Sequence, residues 1–128
     1  MAKNRIKTRT GTFTLEEGVL WQVPDPGTSI TLEHARENIR AMDRLCQGKK
    51  YPVFLDIRGL KSVSREARAH YSGPATAPYV TAIAILTGSP LSKIIANFFV
   101  GLNRSPAFPI KLFMDEKTAL AWLKGLLV

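Results

Sequence analysis

The side chains best suited to surface chemistry lie in residues 56 to 68, DIRGLKSVSREAR. An aspartate opens this segment directly after an apolar run, and two serines then stand among four basic side chains. Such a cluster suits an anion or an acidic protein surface, because the start of a following helix adds its own positive end. The candidate interaction or anion site consists of Asp56, Arg58, Gly59, Lys61, Ser62, Ser64, Arg65 and Arg68.

Each part of this candidate site also has a structural interpretation. Ser62 or Ser64 can cap the next helix, which contributes about 1 kcal/mol, and we expect capping in preference to phosphorylation. Asp56 is expected to accept hydrogen bonds from the loop that it begins. Gly59 permits a sharp turn at the strand exit. The cations are also typical of a solvated basic loop, and we favour that interpretation over an anion site.

The sequence predicts no catalytic residues, no metal site and no cofactor. Neither His34 nor His70 is spaced with a second histidine or a carboxylate as metal ligands are. No nucleophile is paired with a base, and no glycine-rich phosphate loop is present. We therefore expect a protein that is not an enzyme.

Composition predicts a single domain over residues 1–128, since 45% of the residues are apolar and 22% are charged. The lone Cys46 excludes an internal disulfide, and a reducing, cytoplasmic location is therefore expected. No apolar run approaches the length of a membrane span, and membrane insertion is not expected.

The charge raises the question of nucleic-acid binding, because 18 basic and 10 acidic residues give a net charge of +8. The basic residues are scattered, however, and aromatic residues do not alternate with them, so nucleic acid is an unlikely partner. Lys3, Arg5, Lys7 and Arg9 supply half of the excess and alternate along one terminal segment. We interpret that segment as an edge strand whose charges prevent aggregation.

Periodicity predicts the elements that position the candidate site. Residues 3–24 are expected to form a hairpin with a polar link and a turn at Gly18, followed by a helix that Thr31 caps and Gly48 ends. The run YPVFLDI predicts a strand in the centre of the sheet. A helix bearing Ala67 and Tyr71 should follow, broken near residues 72–74, and VTAIAILTG predicts a second buried strand.

The remaining residues predict two helices and a strand. Ser89 and Pro90 begin an amphipathic helix whose apolar belt is wider than one packing stripe. We interpret the belt first as core, second as a homodimer interface and third as the border of an apolar ligand pocket. A strand IKLFM and a final helix capped by Asp115 follow, with Trp122 near its edge and Leu120, Leu123, Leu126 and Leu127 inward. The candidate pocket or interface residues are Phe98, Phe99, Val100 and Leu102.

Two strands followed by alternating helices and strands predict an α/β fold, in which right-handed crossovers lay successive strands parallel. We expect a mixed sheet with an N-terminal antiparallel hairpin and about four helices. The segments YPVFLDIRGLKSVSREAR and SKIIANFFVGLNRSPAFPIKLFMDEKTALAWL resemble the STAS domain, the SpoIIAA-like fold of anti-sigma factor antagonists. The resemblance covers nearly the whole chain and extends to small uncharacterised bacterial STAS-like proteins.

The resemblance implies a regulatory or protein-interaction module without the standard phosphoserine. In the antagonists, an Asp-Ser pair starts the helix after the strand-end aspartate, and here Ser64 and Arg65 occupy those two positions. A protein partner or a homo-oligomer is therefore expected. The related CRAL-TRIO architecture implies the alternative, a binder of a small apolar or anionic ligand.

Overall fold

The sheet is built around the apolar run of residues 51–56, which forms an interior strand with a parallel neighbour on each side. The computed structural model describes residues 4–88 and 108–126. In this part of the chain the strands are β1 (Arg5–Lys7), β2 (Gly11–Glu16), β3 (Val19–Pro24), β4 (Ser29–Ile30), β5 (Tyr51–Asp56), β6 (Ser62–Val63), β7 (Val80–Leu86) and β8 (Ile110–Phe113). The helices are α1 (Leu32–Cys46), α2 (Arg65–Ser72), α3 (Glu116–Gly125) and a 3₁₀ helix (Ala77–Tyr79).

The main sheet has the order β1-β2-β3-β5-β7-β8. Strands β3, β5, β7 and β8 run parallel, whereas β1 and β2 add an antiparallel edge. The predicted mixed α/β sheet and the central position of residues 51–56 are therefore confirmed. A separate parallel pair, β4 and β6, joins Ile30 to Val63 just before α1 and α2 begin.

The predicted N-terminal hairpin is a three-stranded meander. Residues 11–16, which the sequence indicated as a polar link, form strand β2, and each of its two antiparallel partners is a separate strand. Thr12 and Thr14 alternate with Phe13 and Leu15, which is the period of two expected of a strand. The turn at Gly18 is confirmed, because Glu17 and Gly18 both have positive φ, as a tight hairpin turn requires.

The helices begin where the sequence predicts. The N–H of Thr31 donates to His34 Nδ1 at 3.1 Å at the start of α1, and Asp115 Oδ2 accepts from the N–H of Thr118 at 2.9 Å at the start of α3. Helix α3 ends at Gly125, so Leu126 lies past its last turn and is 48% exposed, contrary to the inward position predicted for it.

Three α-helices lie within residues 4–88 and 108–126. The fourth predicted helix, over residues 91–102, falls outside the described residues, as does Leu127. No helix in the two described ranges combines the length and the apolar character needed to cross a membrane.

The two faces of the sheet pack against different helices. Phe54, Ala82 and Ala84 face α3 and form one cluster with Leu123. Val53 on the opposite face packs with residues of α1, and Ile85 packs with Ala35 and Ala67, so α1 and α2 share that face. Alternation along each central strand therefore divides the core into an α3 face and an α1/α2 face.

Candidate functional site

The predicted candidate site lies at the edge of the sheet where the parallel strands end. Strand β5 ends at Asp56, and residues 57–64 connect it to α2. Strand β8 ends just before α3 begins. Parallel α/β sheets commonly place their binding sites at this edge.

Asp56 and Arg58 form an ion pair within the loop. The Asp56 carboxylate accepts from the backbone N–H of Arg58 at 3.1 Å and from its guanidinium at 3.0 Å and 2.8 Å. The carboxylate is 15% exposed and the guanidinium 50%. Asp56 therefore accepts hydrogen bonds from the loop that it begins, as expected. Arg58 is held by Asp56 instead of being directed at a separate anion.

Ser64, and not Ser62, caps helix α2. Its Oγ accepts from the N–H of Ala67 at 3.1 Å, whereas Ser62 lies in β6 opposite Ser29. The predicted capping role therefore belongs to Ser64. Phosphorylation of either serine stays a prediction.

Arg68 of α2 reaches back to strand β6. Its Nη1 donates to the carbonyl oxygen of Val63 at 2.6 Å. With Arg58 on Asp56 and Arg68 on Val63, two of the four predicted cations contact acceptors of the chain itself. Lys61 and Arg65 are exposed.

Two glycines allow close packing at this edge. A Cβ on Gly59 would lie 3.2 Å from the Cα of Pro26, and a Cβ on Gly88 would lie 3.0 Å from Arg58 Cδ. Gly59 does not have a positive φ. The predicted turn is present, because the Leu60 N–H donates to the Ile57 carbonyl at 3.1 Å. Glycine at position 59 also permits the close approach of residues 24–28, whose Gly27 N–H donates to the Gly59 carbonyl at 2.8 Å.

Met114 is a residue of this edge that the sequence did not single out. It is 72% exposed in the turn between β8 and α3. Two residues later, Glu116 comes within 4.0 Å of the Arg58 guanidinium, which brings the start of α3 to the loop after β5. We call the exposed set Arg58, Lys61, Arg65 and Met114 the rim surface.

The N-terminal cations are partly paired. Lys7 contacts Asp25 at 2.8 Å and Arg9 contacts Glu37 at 3.1 Å. Lys3 lies outside the described residues. Arg5 and Lys7 are exposed on edge strand β1. This is the position expected for charges that protect an edge strand from aggregation.

The predicted apolar pocket or interface at Phe98, Phe99, Val100 and Leu102 lies outside the described residues and stays a prediction. An apolar cavity of about 40 Å³ is found instead on the α1/α2 face. Its described lining includes Leu55 and Ile83 from the sheet, Met42 from α1 and Tyr71 from α2. No feature of the sequence points to this cavity, because its lining residues are ordinary core types.

A buried polar cluster stands beside this cavity. Asn38 accepts from the Thr8 hydroxyl at 2.9 Å, and its Nδ2 donates to the Tyr71 hydroxyl at 2.7 Å. Burial raises the pKa of Tyr71 to about 12, although hydrogen bonds with Asn38 and Gln22 oppose the shift. Tyr71 therefore stays protonated in the folded protein at neutral pH.

Cys46 is buried on the same face, near the end of α1. Burial, reinforced by the charge of Asp43, raises the pKa of its thiol to about 11. A protonated, buried thiol is a poor nucleophile, so Cys46 is placed as a core residue.

The arrangement is that of a SpoIIAA-like α/β domain, a class that the comparison with solved structures supports. The structure is similar to an uncharacterized protein from the DUF3478 family with a SpoIIAA-like fold, from Shewanella loihica PV-4. The TM-score is 0.60 at 20% sequence identity, and the match covers 93% of this chain and 90% of that chain. The SpoIIAA-like fold predicted from the sequence is therefore confirmed as a fold.

The chain belongs to the family of the domain of unknown function DUF7793, whose model matches residues 13–127. A protein with unknown function from Arthrobacter sp. FB24 is 34% identical, over 92% of this chain and 95% of that chain, with a TM-score of 0.37. The curated proteins include no match.

Proposed function

We propose that this protein is a non-enzymatic, cytoplasmic interaction module that binds an acidic protein partner through the rim surface. The observation that carries the proposal is the exposure of Lys61, Arg65 and Met114 at the edge where the parallel strands end. Arginine and methionine are enriched in protein interfaces. The net charge of +8 would favour encounter with an acidic surface.

The SpoIIAA-like fold supports a regulatory role by analogy, because anti-sigma factor antagonists share it. Ser64 serves as a helix cap here, so the proposed interaction does not depend on the phosphoserine switch of those proteins. Regulation would instead follow from the availability of the partner or from self-association.

Affinity purification from the source cell tests this proposal. Wild-type protein should retain a specific partner, and Lys61→Glu with Arg65→Glu should lose it. The matched control is Arg40→Glu with Arg44→Glu, which makes the same change of charge at two exposed positions of α1. Light scattering on the purified protein shows whether the partner is a second copy.

Retention of the partner by the control and its loss from the rim variant support the proposal. Equal retention by both double variants, or no retained protein with the wild type, contradicts it. A partner that proves to be nucleic acid also contradicts it, and a steep loss of binding with added salt would identify that case.

A further inference from the structure

Within residues 4–88 and 108–126, the α1/α2 face of the sheet leaves a space at its centre. Two rows of residues cross this face in register: Gln22, Leu55 and Ile85, and then Leu20, Val53, Ile83 and Ile110. Leu55 and Ile83 belong to interior strands, yet both are only half-buried. On the opposite face Phe54 is 1% exposed and Ala82 and Ala84 are 0% exposed. A space therefore remains above Leu55 and Ile83 between the described elements.

The walls of this space come from the elements around it. Met42 of α1 and Tyr71 of α2 line it, and Ile30 and Val63 of the β4–β6 pair line it as well. The cavity of about 40 Å³ corresponds to roughly three water-sized probes. An occupant of a few non-hydrogen atoms fits such a space.

A buried hydroxyl marks one side of the cavity. Thr76, which lines the cavity, is 2% exposed, and its Oγ1 has no hydrogen-bond partner among the described residues. Leaving a buried hydroxyl unpaired is unfavourable, so a molecule that pairs with it gains a hydrogen bond that the protein alone does not make. Gln22 and Tyr71 are the other polar side chains among the described lining residues.

The charge of the lining restricts the occupant. None of the described lining residues is an aspartate, glutamate, lysine, arginine or histidine. A carboxylate or phosphate inside the cavity would lose its hydration without an opposite charge to compensate, which is strongly unfavourable. An apolar body with a hydrogen-bonding group that is not ionised matches both the aliphatic walls and the hydroxyl.

We propose that the cavity above Leu55 and Ile83 is a binding site for a small uncharged molecule that has an apolar body and one hydrogen-bonding group. The apolar body contacts the aliphatic floor and walls, and the polar group pairs with the Thr76 hydroxyl. The site is separate from the rim surface and does not depend on the interaction function proposed there.

Titration with 1-butanol, followed by NMR of Ile, Leu and Val methyl groups, tests the site. The methyl signals of Leu55, Ile83 and Ile85 should shift in a saturable way, while those of Leu123 on the α3 face should not. Thr76→Val keeps the shape of the side chain and removes the hydroxyl, and it should weaken binding about three- to tenfold, as expected for one hydrogen bond. Thr81→Val, at an exposed position of β7, is the matched control and should bind as the wild type does.

Butyrate, which has the same chain length and a negative charge, should bind far more weakly than 1-butanol at pH 7. Failure of the cavity methyl signals to saturate up to the solubility limit of 1-butanol would overturn the proposal and leave a cavity that holds only water. The proposal would also be overturned if Thr76→Val bound 1-butanol as tightly as the wild type does. Binding of butyrate as tight as that of 1-butanol would overturn it as well. Lys61→Glu with Arg65→Glu should leave butanol binding unchanged, which separates this test from that of the rim surface.

Discussion

The two faces of the sheet use the same strands in different ways. Toward α3, strand β7 presents Ala82 and Ala84, and their small side chains let the helix approach closely enough to exclude water. Toward α1 and α2, the same strand presents Ile83 and Ile85, and the larger side chains border a cavity and a polar cluster. A single alternation thus gives two different faces in the described residues. We call the α3 face the sealed face and the α1/α2 face, which borders the cavity, the open face.

Sealing on the α3 face depends on aromatic packing as well as on alanine. The ring centre of Phe54 lies 4.6 Å from that of Trp21, and the ring centre of Phe113 lies 5.6 Å from that of Trp122. Trp122 is thus close to its predicted position near the edge of the helix. The open face instead contains a buried polar network, in which Thr8 donates to Asn38 and Asn38 donates to Tyr71. The described α3 face is thus packed by aromatic rings and alanines, whereas the described α1/α2 face contains two core clusters and a cavity.

The largest expected effect comes from removing an aromatic ring from the sealed face. Phe54→Ala should lower the free energy of unfolding by about 3–5 kcal/mol, because a buried ring is lost and its cavity cannot collapse. Leu55→Ala, one residue along on the open face, should cost about 2 kcal/mol or less, at the lower end of the range for Leu→Ala. Urea denaturation of both variants measures the difference, and equal losses would contradict the contrast between the faces.

Alkaline pH provides the second comparison, because Tyr71 belongs to the open face. Its pKa is raised from 10.0 to about 12 in the folded protein. The unfolded chain therefore loses the proton first, so the stabilisation is fully present below pH 10 and is lost as the pH rises toward 12. A shift of two pKa units corresponds to roughly 2–3 kcal/mol of unfolding free energy.

Urea denaturation of the wild type and of Tyr71→Phe at several pH values from 9 to 11.5 isolates this effect from that of the other titrating groups. The difference in unfolding free energy between the two proteins should shrink as the pH rises. A difference that stays constant over this range would show that Tyr71 is not buried in the way described.

Enlarging an aliphatic side chain by one or two carbons should also distinguish the faces. Ala84→Val on the sealed face should destabilise the protein by about 1–3 kcal/mol through overpacking. Val63→Ile at the cavity wall should be neutral, or should stabilise by roughly 0.5 kcal/mol, because the added group has space to occupy. Thermal unfolding of the two variants checks the signs, and a loss of stability in Val63→Ile as large as that in Ala84→Val would contradict an open cavity.

The last comparison uses the two matching helix caps, one for each face. Ser64→Ala should cost about 1 kcal/mol at the start of α2 and should not depend on pH. Asp115→Ala should also destabilise the protein, and its effect should fade in acid. Hydrogen bonds from Thr118 hold the pKa of the Asp115 carboxyl below 3.8, so its contribution is present above that value and is lost as the pH falls through the lowered pKa.

Denaturation of both cap variants at pH 7 and near pH 3 measures these contributions. An effect of Ser64→Ala that disappears in acid, or an effect of Asp115→Ala that persists there unchanged, would contradict the assigned hydrogen bonds.

The sequence predicted those elements whose signals are local. Ser64 and Asp115 each precede a helical repeat and were recognised as possible caps, and residues 51–56 form an apolar run typical of an interior strand. Strand β2 was missed because its threonines are also common in loops, and only its pairing with β1 and β3 makes it a strand.

The candidate site was predictable only in part, for a similar reason. The turn after β5 and the role of Asp56 follow from residue type, but the pairing of Arg58 with Asp56 depends on how the loop folds back. The cavity could not be predicted, since Leu55 and Ile83 have the same composition as a filled core. Empty space depends on how far apart helices and sheet lie, which residue types alone do not specify.

Xenon binding in a crystal of the protein measures the contrast between the faces most directly, because xenon enters dry apolar cavities of protein interiors. We expect a xenon atom above Leu55 and Ile83 on the α1/α2 face, and none between the sheet and α3. Xenon beneath α3, or an α1/α2 face into which no xenon enters, would contradict it.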